Sequence, residues 1–585
     1  MYSYKSDVLK DYLSEILFDA VYTTIKNCSI DEIYSQLISP SDASFGHFTF
    51  PCFFLAKAAG RSPLEFAIQV ADLIVTDTEK VERFQAVGPY INFTLTALFA
   101  GEAIGSKVLS GSFFDRINLD DRPAIMIEYS QPNTHKELHI GHMRNMCLGD
   151  ALVRIHKYCG FKVISATFPG DVGTHVAKCL WYMKHHNKEN VPAHDKGTWL
   201  GLQYTKAHLK LASEEGTPQE RVNKEQLTEI FYQIENKTGE FYLLWKETRQ
   251  WSISLMNEVY HWANVHFDQW YWESDVTLSS VNYVKDNLDN GVFIQSEGAV
   301  GVDLSEFNLG FCLLIKSDGN GLYATKDLEL AKRKFSDFNI EKSIAVVDQR
   351  QSHHFAQVFK MLEVLGDKNA KNNFHLPYNF VELPGGAMSS RAGNIIPILG
   401  LIEQMTKKVK IDYLERNNAS LTGSEIEGNA KTIAEGAIKY GMSKIDPDHK
   451  IVFDMDEWLK IEGDAGPYLQ YTATRINSII NKLGMPHAEH INWSVLTLDV
   501  EKNILLKISR FNEQVVQACT KYKPNLLANY LYELSKLYNS FYNSAQIKEA
   551  GNQQLKAARI ALSACVLSIL KSGLSLLGIS IPTRM

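Results

Sequence analysis

Two periodicities of hydrophobic and polar residues follow each other in the middle of the chain. Residues 124–129 are almost continuously apolar, which is typical of a strand inside a parallel sheet covered on both faces. Leu148, Leu152 and Ile155 then recur at spacings of four and three, which predicts an amphipathic helix. Residues 162–167 supply the next strand. A strand, a helix and a strand within about 45 residues predict a βαβ crossover, the unit of a doubly wound sheet.

The flanking segments show the same two patterns. In the first module, residues 8–21 predict a helix and the alternation over residues 90–95 predicts a strand, while the aromatic cluster at 45–54 is expected in the core. Residues 185–265 are rich in Trp, Tyr, Lys and Glu and are predicted to be a mostly helical insertion. Four later segments are predicted to be strands: residues 292–303, 311–316, 343–348 and 380–383.

Beyond about residue 425 the pattern predicts only amphipathic helices, for example over residues 526–542 and 555–577, and no strand. The chain is therefore predicted to be an α/β protein in three parts. Residues 1–115 form an N-terminal α+β module, residues 116–425 hold a Rossmann-type doubly wound parallel sheet, and residues 426–585 form an all-α helical bundle.

Composition excludes several classes of protein. The 585 residues are 45% hydrophobic and 22% charged, as in folded globular proteins rather than disordered or fibrous ones. No window approaches the roughly 18 uninterrupted apolar residues of a membrane span, and the start of the chain lacks the apolar core of a secretory signal. We therefore expect a cytoplasmic protein without a membrane partner. The eight cysteines include no CxxC pair, so neither a zinc site nor a disulfide scaffold is expected.

The charge is unevenly distributed along the chain. The residues from Gly466 onward contain thirteen Lys and Arg against six Asp and Glu, a balance of +7. The whole chain carries −7, so the remainder carries −14. A basic tail on an acidic body suggests a polyanionic partner for the tail, although a helical domain with surface lysines would have the same charge.

The residues His139, Ile140, Gly141 and His142 fall where the first strand passes into the helix. A helix N-terminus attracts phosphate through its free N–H groups and its dipole. Histidines three positions apart share one helix face, and Gly141 leaves room for a flat base against the backbone. Two imidazoles there could donate hydrogen bonds to charge that develops on an α-phosphate. The alternative is a pair of surface histidines near a helix cap, but the position favours a nucleotide site.

A second candidate is the loop of residues 385–394, in which Met388, Ser389, Ser390 and Arg391 lie between glycines. Such a loop can close on a triphosphate and supply hydroxyl donors and one cation. Standing alone, the segment would be interpreted as an ordinary surface turn.

Together, the two motifs resemble the signatures of class I aminoacyl-tRNA synthetases. Further segments are similar to arginyl-tRNA synthetases in particular: residues 128–138, 170–174, 323–327, 347–351 with His354 and Phe355, Phe267 and Asp268 with Trp270, 462–471 and 581–585. The first module resembles, through residues 88–93, the additional N-terminal domain of arginyl enzymes. The resemblance covers nearly the whole chain. It implies a tRNA-elbow-binding module, a class I catalytic domain and an anticodon-binding domain, in that order.

The resemblance implies an arginine–tRNA ligase. Such an enzyme uses ATP to activate L-arginine as arginyl-adenylate with release of pyrophosphate, and then transfers it to the 3′-terminal adenosine of tRNA(Arg) with release of AMP. Class I enzymes use the 2′-hydroxyl, and arginyl enzymes commonly need bound tRNA before activation. No covalent nucleophile is required, since positioning and electrostatic stabilisation accelerate the reaction. We expect Mg²⁺ to accompany ATP and the protein to be a monomer.

The resemblance also implies an arginine pocket. Asp327 and Tyr323 would contact the guanidinium, with Glu128 as a second carboxylate. Tyr323 and Asp327 are four positions apart and share a face if they begin a helix, and a carboxylate can accept paired guanidinium N–H groups. A surface Asp beside a packed Tyr is the alternative. The remaining arginine contacts would be Gln131, together with Asn133, His142 and Gln351 at the α-ammonium end.

The nucleotide site follows from the same resemblance. ATP would be bound by His139, Gly141, His142, Met388 and Ser389, and the catalytic set would be His139, His142, Lys136, Ser389, Ser390 and Arg391. Two departures from the family matter. Ala387 and Ser390 stand where class I enzymes usually carry lysines, so Lys136 is expected to supply the missing cation, unless it is a solvated loop lysine. Val172 and His175 stand where many relatives carry Trp and Gln, near the expected pocket for the adenosine.

The expected tRNA contacts are Tyr90 and Asn92 at the elbow, and Arg584 and Met585 near the anticodon. Three other functions are alternatives. A cysteinyl enzyme needs zinc-binding cysteines that the chain lacks. A simpler nucleotidyltransferase would not explain the helical tail. A catalytically silent tRNA-binding paralogue is disfavoured by the intact His139 and His142, although the missing loop lysines leave it open.

Overall fold

The computed structural model describes residues 7–115, 123–383, 386–387, 396–415 and 421–585. The N-terminal module is built around a three-stranded antiparallel sheet in the order β1-β3-β2, with helices packed against it. Its elements are α1 (Val8–Tyr22), α2 (Ile30–Gln36), β1 (Phe48–Pro51), α3 (Phe53–Ala58), α4 (Pro63–Leu73), β2 (Val81–Val87), β3 (Tyr90–Leu95), α5 (Ala97–Ala100) and α6 (Ser106–Ser110). The helix predicted at 8–21 and the strand predicted at 90–95 are confirmed.

The prediction that the aromatic cluster at 45–54 lies in the core is wrong in part. Phe48 and Phe50 point into the core from β1. Phe45, Phe53 and Phe54 are exposed, because they lie in the turn before β1 and on the outer side of α3. The strand β1 therefore buries both of its aromatic rings, and the exposed rings of the cluster belong to the segments on either side of it.

The central domain contains a five-stranded parallel sheet in the order β11-β10-β4-β5-β6. The strand predicted at 124–129 is β4 in the middle of this sheet, and all five of its residues are buried. The elements that build the sheet and its first crossover are β4 (Ala124–Glu128), α7 (Ile140–Tyr158), β5 (Val163–Thr167), β6 (Gln269–Trp270), β10 (Ile340–Asp348) and β11 (Asn373–Tyr378). The predicted doubly wound α/β class is confirmed.

The remaining central elements lie around that sheet. The helical insertion contains α8 (Thr174–His185), α9 (Lys196–Ser213), α10 (Pro218–Glu235) and α11 (Gly239–Trp262). Beyond it follow α12 (Glu273–Asp286), a small antiparallel sheet of β7 (Ile294–Ser296), β8 (Ala299–Asp303) and β9 (Phe311–Ile315), then α13 (Tyr323–Asp337), α14 (Ser352–Val364), β12 (Val381–Leu383), β13 (Gly386–Ala387) and α15 (Ile398–Val409). The prediction of helix over most of 185–265 is confirmed.

The C-terminal part is almost entirely helical. Its elements are α16 (Gly423–Ser443), β14 (Ile451–Val452), α17 (Met455–Trp458), α18 (Gly466–Leu483), α19 (Asp499–Ser509), α20 (Phe511–Thr520), α21 (Pro524–Ser544) and α22 (Gln553–Leu576). The prediction of no strand beyond residue 425 is wrong, since β14 pairs in parallel with β12. A two-residue strand is too short to show alternation in the sequence. Among the described residues, α22 alone has the length and apolarity of a membrane span, and 78% of its most apolar window is buried inside the protein.

The first module and the C-terminal helices share one hydrophobic core. Trp493 lies at their junction, against the π-helical turn Gly101–Gly105, and its indole N–H donates to Ser106 Oγ at 3.2 Å. A Cβ atom on Gly101 would come within 2.1 Å of the Trp493 ring, so the close approach requires glycine. Ser509 Oγ also donates to the buried Asp7 carboxylate at 2.8 Å. These contacts bind the beginning of the chain to its last helices.

The turn between α20 and α21 joins the C-terminal helices to the central sheet. Tyr522 stacks on His156 of α7 and accepts a hydrogen bond from Lys342 at 2.7 Å. Lys523 Nζ contacts Asp446 Oδ2 at 2.9 Å and Asp448 Oδ2 at 3.1 Å. The C-terminal helices thus meet the central sheet through an aromatic stack and a hydrogen bond, while the ion pairs fix the turn to the segment between α16 and β14.

Candidate active site

The predicted site residues collect at the carboxyl edge of the parallel sheet. Strands β4 and β10, which are neighbours, end at Glu128 and Asp348. The loop after β4 leads into α7, and residues 349–351 follow β10 as a short turn. Because ligands of open α/β sheets bind where adjacent strands lead away in opposite directions, this edge is the expected place for a nucleotide.

The two motif histidines hold each other at the start of α7. His139 is the N-cap residue, and its Nδ1 accepts a hydrogen bond from the Gly141 N–H at 3.1 Å. The Nδ1 of His142 accepts one from the His139 N–H at 3.1 Å. The two rings lie 4.0 Å apart between centroids. This reciprocal arrangement resembles a capping box with imidazoles in place of hydroxyl and carboxylate, and it fixes both rings.

These hydrogen bonds also decide where the protons are. A backbone N–H can only donate, so each Nδ1 must be an acceptor, and a neutral imidazole then carries its proton on Nε2. Burial, followed by the charge of Lys136, lowers the pKa of His139 to about 4. Burial, the neighbouring His139 and Lys136 hold the pKa of His142 well below the ordinary value. Both rings are therefore neutral Nε2–H donors at pH 7.

The second candidate loop is anchored beside this helix start. Ile140 N–H donates to Ile396 O at 3.3 Å, and Ile398 N–H donates to Leu138 O at 3.0 Å. At the other end, Gly386 pairs with Leu383 in the small sheet. The predicted residues Met388, Ser389, Ser390 and Arg391 lie outside the described residues. The segment that follows them is hydrogen-bonded beside the start of α7.

Asp327 and Tyr323 lie on the first turns of α13, as the spacing predicted. Asp327 is partly buried, and its Oδ2 is 2.6 Å from Nε2 of His354 on α14. Tyr323 is 63% exposed. Its pKa is raised by partial burial of the phenol and then by the nearby carboxylates of Glu273 and Asp327. The carboxylates of Asp327 and Glu273 therefore form an acidic patch beside the aromatic ring of Tyr323.

Glu128 is not an unpaired carboxylate. It is buried at the end of β4, where Lys334 of α13 pairs with it and Gln131 donates to it at 3.0 Å. Gln131 also accepts from Asn145 at 3.1 Å. Lys334 was not expected from the sequence, because it lies 206 positions from Glu128. The two residues come together only because β10, the strand that follows α13, pairs with β4.

A second buried ion pair lies close to Asp327. Lys326 Nζ is 3.0 Å from Glu273 Oε2, and both side chains are buried. Burial raises the pKa of Glu273, against the effect of Lys326. Asn133 forms a bridge with Gly170, and a Cβ atom on Gly170 would lie 2.4 Å from Asn133 Oδ1 and 3.2 Å from Glu273 Oε1. Asn133, Gly170 and Glu273 therefore lie together, and no sequence pattern points to Glu273.

The segment after β5 is held by a separate buried network. Asp171 accepts hydrogen bonds from Arg249 Nε at 2.7 Å and from the Ser274 hydroxyl at 2.7 Å. His175, which replaces the usual Gln, is buried and lies 3.2 Å from Gly170 O. Burial and then Lys136 lower its pKa. This imidazole is neutral and supports the backbone of Gly170.

The remaining predicted contacts have different positions. Gln351 is exposed in the turn that follows β10. Tyr90 is 38% exposed and suits a surface contact. Asn92 is 4% exposed in the middle of β3, paired on both sides, so its position does not support direct contact with a tRNA. Met585 packs against the core of the central domain. The fourth tRNA candidate, Arg584, is near enough to Glu425 to lower the pKa of that carboxyl, after hydrogen bonds from Thr422.

Comparisons with known sequence families agree with the three parts of the fold. Residues 106–454 match the family of class I tRNA synthetases (R), catalytic domain. Residues 469–585 match the DALR anticodon binding domain, and residues 7–95 match the arginyl tRNA synthetase N terminal domain.

Individual proteins of similar sequence or structure give the same result. The chain is 48% identical over 583 residues to an arginine–tRNA ligase of Bdellovibrio bacteriovorus, covering 99% of this chain and 100% of that protein. It is 32% identical to one from Bacteroides thetaiotaomicron, covering 92% and 94%. The Thermus thermophilus arginyl-tRNA synthetase structure superposes with a TM-score of 0.79 at 26% identity, covering 99% and 100%. The Plasmodium falciparum structure, at 20% identity, shares the fold with a TM-score of 0.76, covering 98% and 99%.

A parallel sheet with two imidazoles at the start of its first crossover helix, followed by a helical anticodon-binding domain, defines a class I aminoacyl-tRNA synthetase. Such an enzyme uses ATP. Within that class the chain belongs to the arginyl-tRNA synthetase family, and its activity is that of an arginine–tRNA ligase. The comparisons therefore decide against the cysteinyl enzyme and the simpler nucleotidyltransferase.

The neutral state of the two motif imidazoles can be measured directly. We expect the His139 ring, in protein labelled with ¹⁵N-histidine, to keep its proton on Nε2 at pH 7 and to titrate near pH 4. The pKa is lowered, so the second proton binds only in that more acidic range. A His139→Gln variant assigns the signal. Titration near pH 6.5, the ordinary imidazole value, would contradict the burial and the hydrogen bonds described here.

Proposed function

We propose that the carboxyl edge of the sheet joins the carboxylate of L-arginine to the α-phosphate of ATP. A carboxylate oxygen forms the new bond to the α-phosphorus as the bond to pyrophosphate breaks. The arginyl group is then transferred to the 3′-terminal adenosine of tRNA(Arg), and AMP is released. The pair of fixed, neutral imidazoles at the start of α7 is the observation that carries this proposal.

His139 and His142 act on the α-phosphate as hydrogen-bond donors. Their Nδ1 atoms are occupied by backbone N–H groups, so only the Nε2–H groups are left to meet a phosphate oxygen. Neutral donors whose positions are already fixed stabilise charge that develops in the transition state without reorganising. Gly141 leaves the backbone open for the adenosine, and the helix dipole favours the phosphates.

The cations and hydroxyls of the nucleotide site come from two loops. Lys136 lies before α7, close enough for its charge to lower the pKa of His139 and His142, each after burial. It supplies a positive charge for the phosphates in place of the lysines that Ala387 and Ser390 replace. Met388, Ser389, Ser390 and Arg391, which lie outside the described residues, are proposed to supply the hydroxyl donors and a further cation.

Asp327 is the principal carboxylate for the substrate guanidinium. It lies next to Tyr323 and the paired Glu273, whose carboxylate adds negative potential. His354 contacts one oxygen of Asp327 and thereby sets the orientation of the carboxylate. Glu128 and Gln131 form the wall behind, since Lys334 already compensates Glu128. Asn133 and Gln351 hold the α-ammonium end of the substrate. His142, expected there from the resemblance, has its Nδ1 occupied by the His139 N–H, so its remaining Nε2–H group serves the phosphate and cannot accept from an ammonium.

Mg²⁺ enters with ATP, whose phosphate oxygens are the hard ligands that this ion prefers. Bound there, it would supply positive charge for the pyrophosphate group. Within the parts of the chain that the structure describes, no group of three or more His, Cys, Asp or Glu side chains could hold a metal ion.

The flanking parts bind the tRNA. The C-terminal helices, residues 426–585, take the anticodon arm with Arg584 and Met585 at its edge, and the first module, residues 1–115, takes the elbow through Tyr90. Residues 116–425 carry the catalysis. One copy of the chain contains all three parts, so we propose that the protein acts as a monomer. We also propose that it acts in the cytoplasm, where ATP, arginine and tRNA(Arg) are present.

The activity is tested by pyrophosphate exchange with each of the twenty amino acids, with and without tRNA(Arg), followed by aminoacylation. We expect exchange only with arginine, stimulated by tRNA. Exchange with another amino acid, or none with arginine while tRNA still binds, would overturn the proposal. The second result is the one expected of a silent tRNA-binding paralogue.

Replacing Asp327 with Asn should raise the KM for arginine by roughly 100-fold or more. The change removes the charge and keeps the shape, and a cation left unpaired in a partly buried site costs roughly 3–5 kcal/mol. Steady-state aminoacylation measures the effect. Asp289→Asn, an exposed carboxylate outside the site, is the matched control. An unchanged KM for arginine would remove Asp327 from the pocket.

Replacing Lys136 with Ala should lower kcat by about 100-fold or more while changing the KM for arginine by less than about threefold. A donor used mainly in the transition state has this signature. The exposed Lys188→Ala serves as control, since it removes an equal charge from the insertion. An unchanged kcat would mean that the missing loop lysines are replaced elsewhere.

A further inference from the structure

The loop that precedes α7 is covered by the helical insertion. His135 N–H donates to Ser252 Oγ of α11 at 2.9 Å, and His135 Nε2 lies 2.8 Å from Thr248 Oγ1 of the same helix. The backbone of His135 has a φ of +59°, which an L residue adopts only when its surroundings hold it there. Helix α11 therefore fixes the backbone one residue before Lys136.

Helix α9 approaches the same loop from the other side. A Cβ atom on Gly201 would lie 2.8 Å from Glu137 N and 2.9 Å from Glu137 Cβ, so only glycine lets the helix come this close. One turn further along, the Tyr204 ring lies under the Lys136 side chain, with Nζ 5.1 Å from the ring centroid. Tyr204 is 5% exposed and packs with Cys179 and Leu200. The position of the Tyr204 ring is thus fixed by a small hydrophobic cluster.

An ammonium over a buried aromatic face is attracted by the ring quadrupole, and the attraction is stronger when water is excluded. Lysine has a long, flexible stem, so a loop lysine without such a contact samples many positions. Here the ammonium must remain near His139 and His142, whose pKa values its charge already lowers, after burial. The usual lysines of the second loop are absent, which makes the position of this one cation more important.

We propose that Tyr204 is a positioning residue for the adenylation step, and that the face of its ring holds the Lys136 ammonium toward the nucleotide. The helical insertion would thereby set the position of the cation that replaces the second-loop lysines. This inference rests on the proposed role of Lys136. It assigns a role in the chemistry to α9, although this helix is distant in sequence from the motif residues.

The test is a double-mutant cycle in the full-length enzyme, measured by aminoacylation of tRNA(Arg), with Tyr204→Leu, Lys136→Ala and the double variant. We expect Tyr204→Leu to lower kcat about 3- to 30-fold, in the range of a desolvated cation–π contact, with the KM for arginine unchanged. In the Lys136→Ala background the same change should have no further effect on kcat. A residue that acts through Lys136 loses its influence when Lys136 is gone.

Tyr204→Phe separates the ring from its hydroxyl and should keep kcat near that of the unmodified enzyme. If Tyr204→Phe is as impaired as Tyr204→Leu, or if the Leu effect is the same with and without Lys136, the inference is overturned. If Lys136→Ala retains full kcat, the proposed role of Lys136 fails, and the inference falls with it. The two failures are distinguished by that single variant.

A second pair of variants guards against a Tyr204→Leu protein that does not fold. Gly201→Ala forces a methyl group against Glu137, which must shift the Lys136 backbone, and kcat should fall with the KM for arginine unchanged. Gly428→Ala on α16 adds the same methyl group where nothing lies within 4 Å and should have no effect. Equal kcat in the two glycine variants would overturn the inference.

Discussion

The reciprocal hydrogen bonding of two imidazoles at the start of α7 is the constraint on which the rest of the active site depends. Each ring uses one nitrogen to satisfy a backbone N–H that the helix leaves unpaired. The same bonds leave the opposite nitrogens protonated and directed away from the backbone. Helix capping and catalysis therefore use opposite nitrogens of the same two rings, and a substitution that removes the cap also moves the donor that faces the phosphate.

Charge around the site is almost always compensated within the protein. Glu128 pairs with Lys334, Glu273 with Lys326 and Asp171 with Arg249, and each pair joins different elements of the central domain. Such pairs contribute little net stability when buried, but breaking one leaves an unpaired charge in a dry site. Asp327 differs, because its partner is the imidazole of His354 rather than a lysine or an arginine. This difference fits a carboxylate that a substrate cation approaches.

The sequence predicted features that depend on local spacing. The helix after β4 and the common face of Tyr323 and Asp327 follow from the helical period, and the α/β class follows from the crossover pattern. Contacts made by folding were not predictable. The pairs Glu128–Lys334 and Asp327–His354 depend on where α13 and α14 cross the sheet. Burial of Asn92 depends on its place in the middle strand of a sheet, and β14 is too short to leave a pattern.

The shared core of the first module and the last helices has a consequence for synthesis of the chain. Trp493 fills the space beside Gly101 and Gly105, so the first module cannot complete its apolar packing until the ribosome has made the C-terminal third of the protein. At typical elongation rates of about 5–20 residues per second, that interval is roughly 20–80 s. During it, apolar surface of the nascent first module stays uncovered. Chaperones that bind such surfaces therefore have a defined window in which this protein needs them.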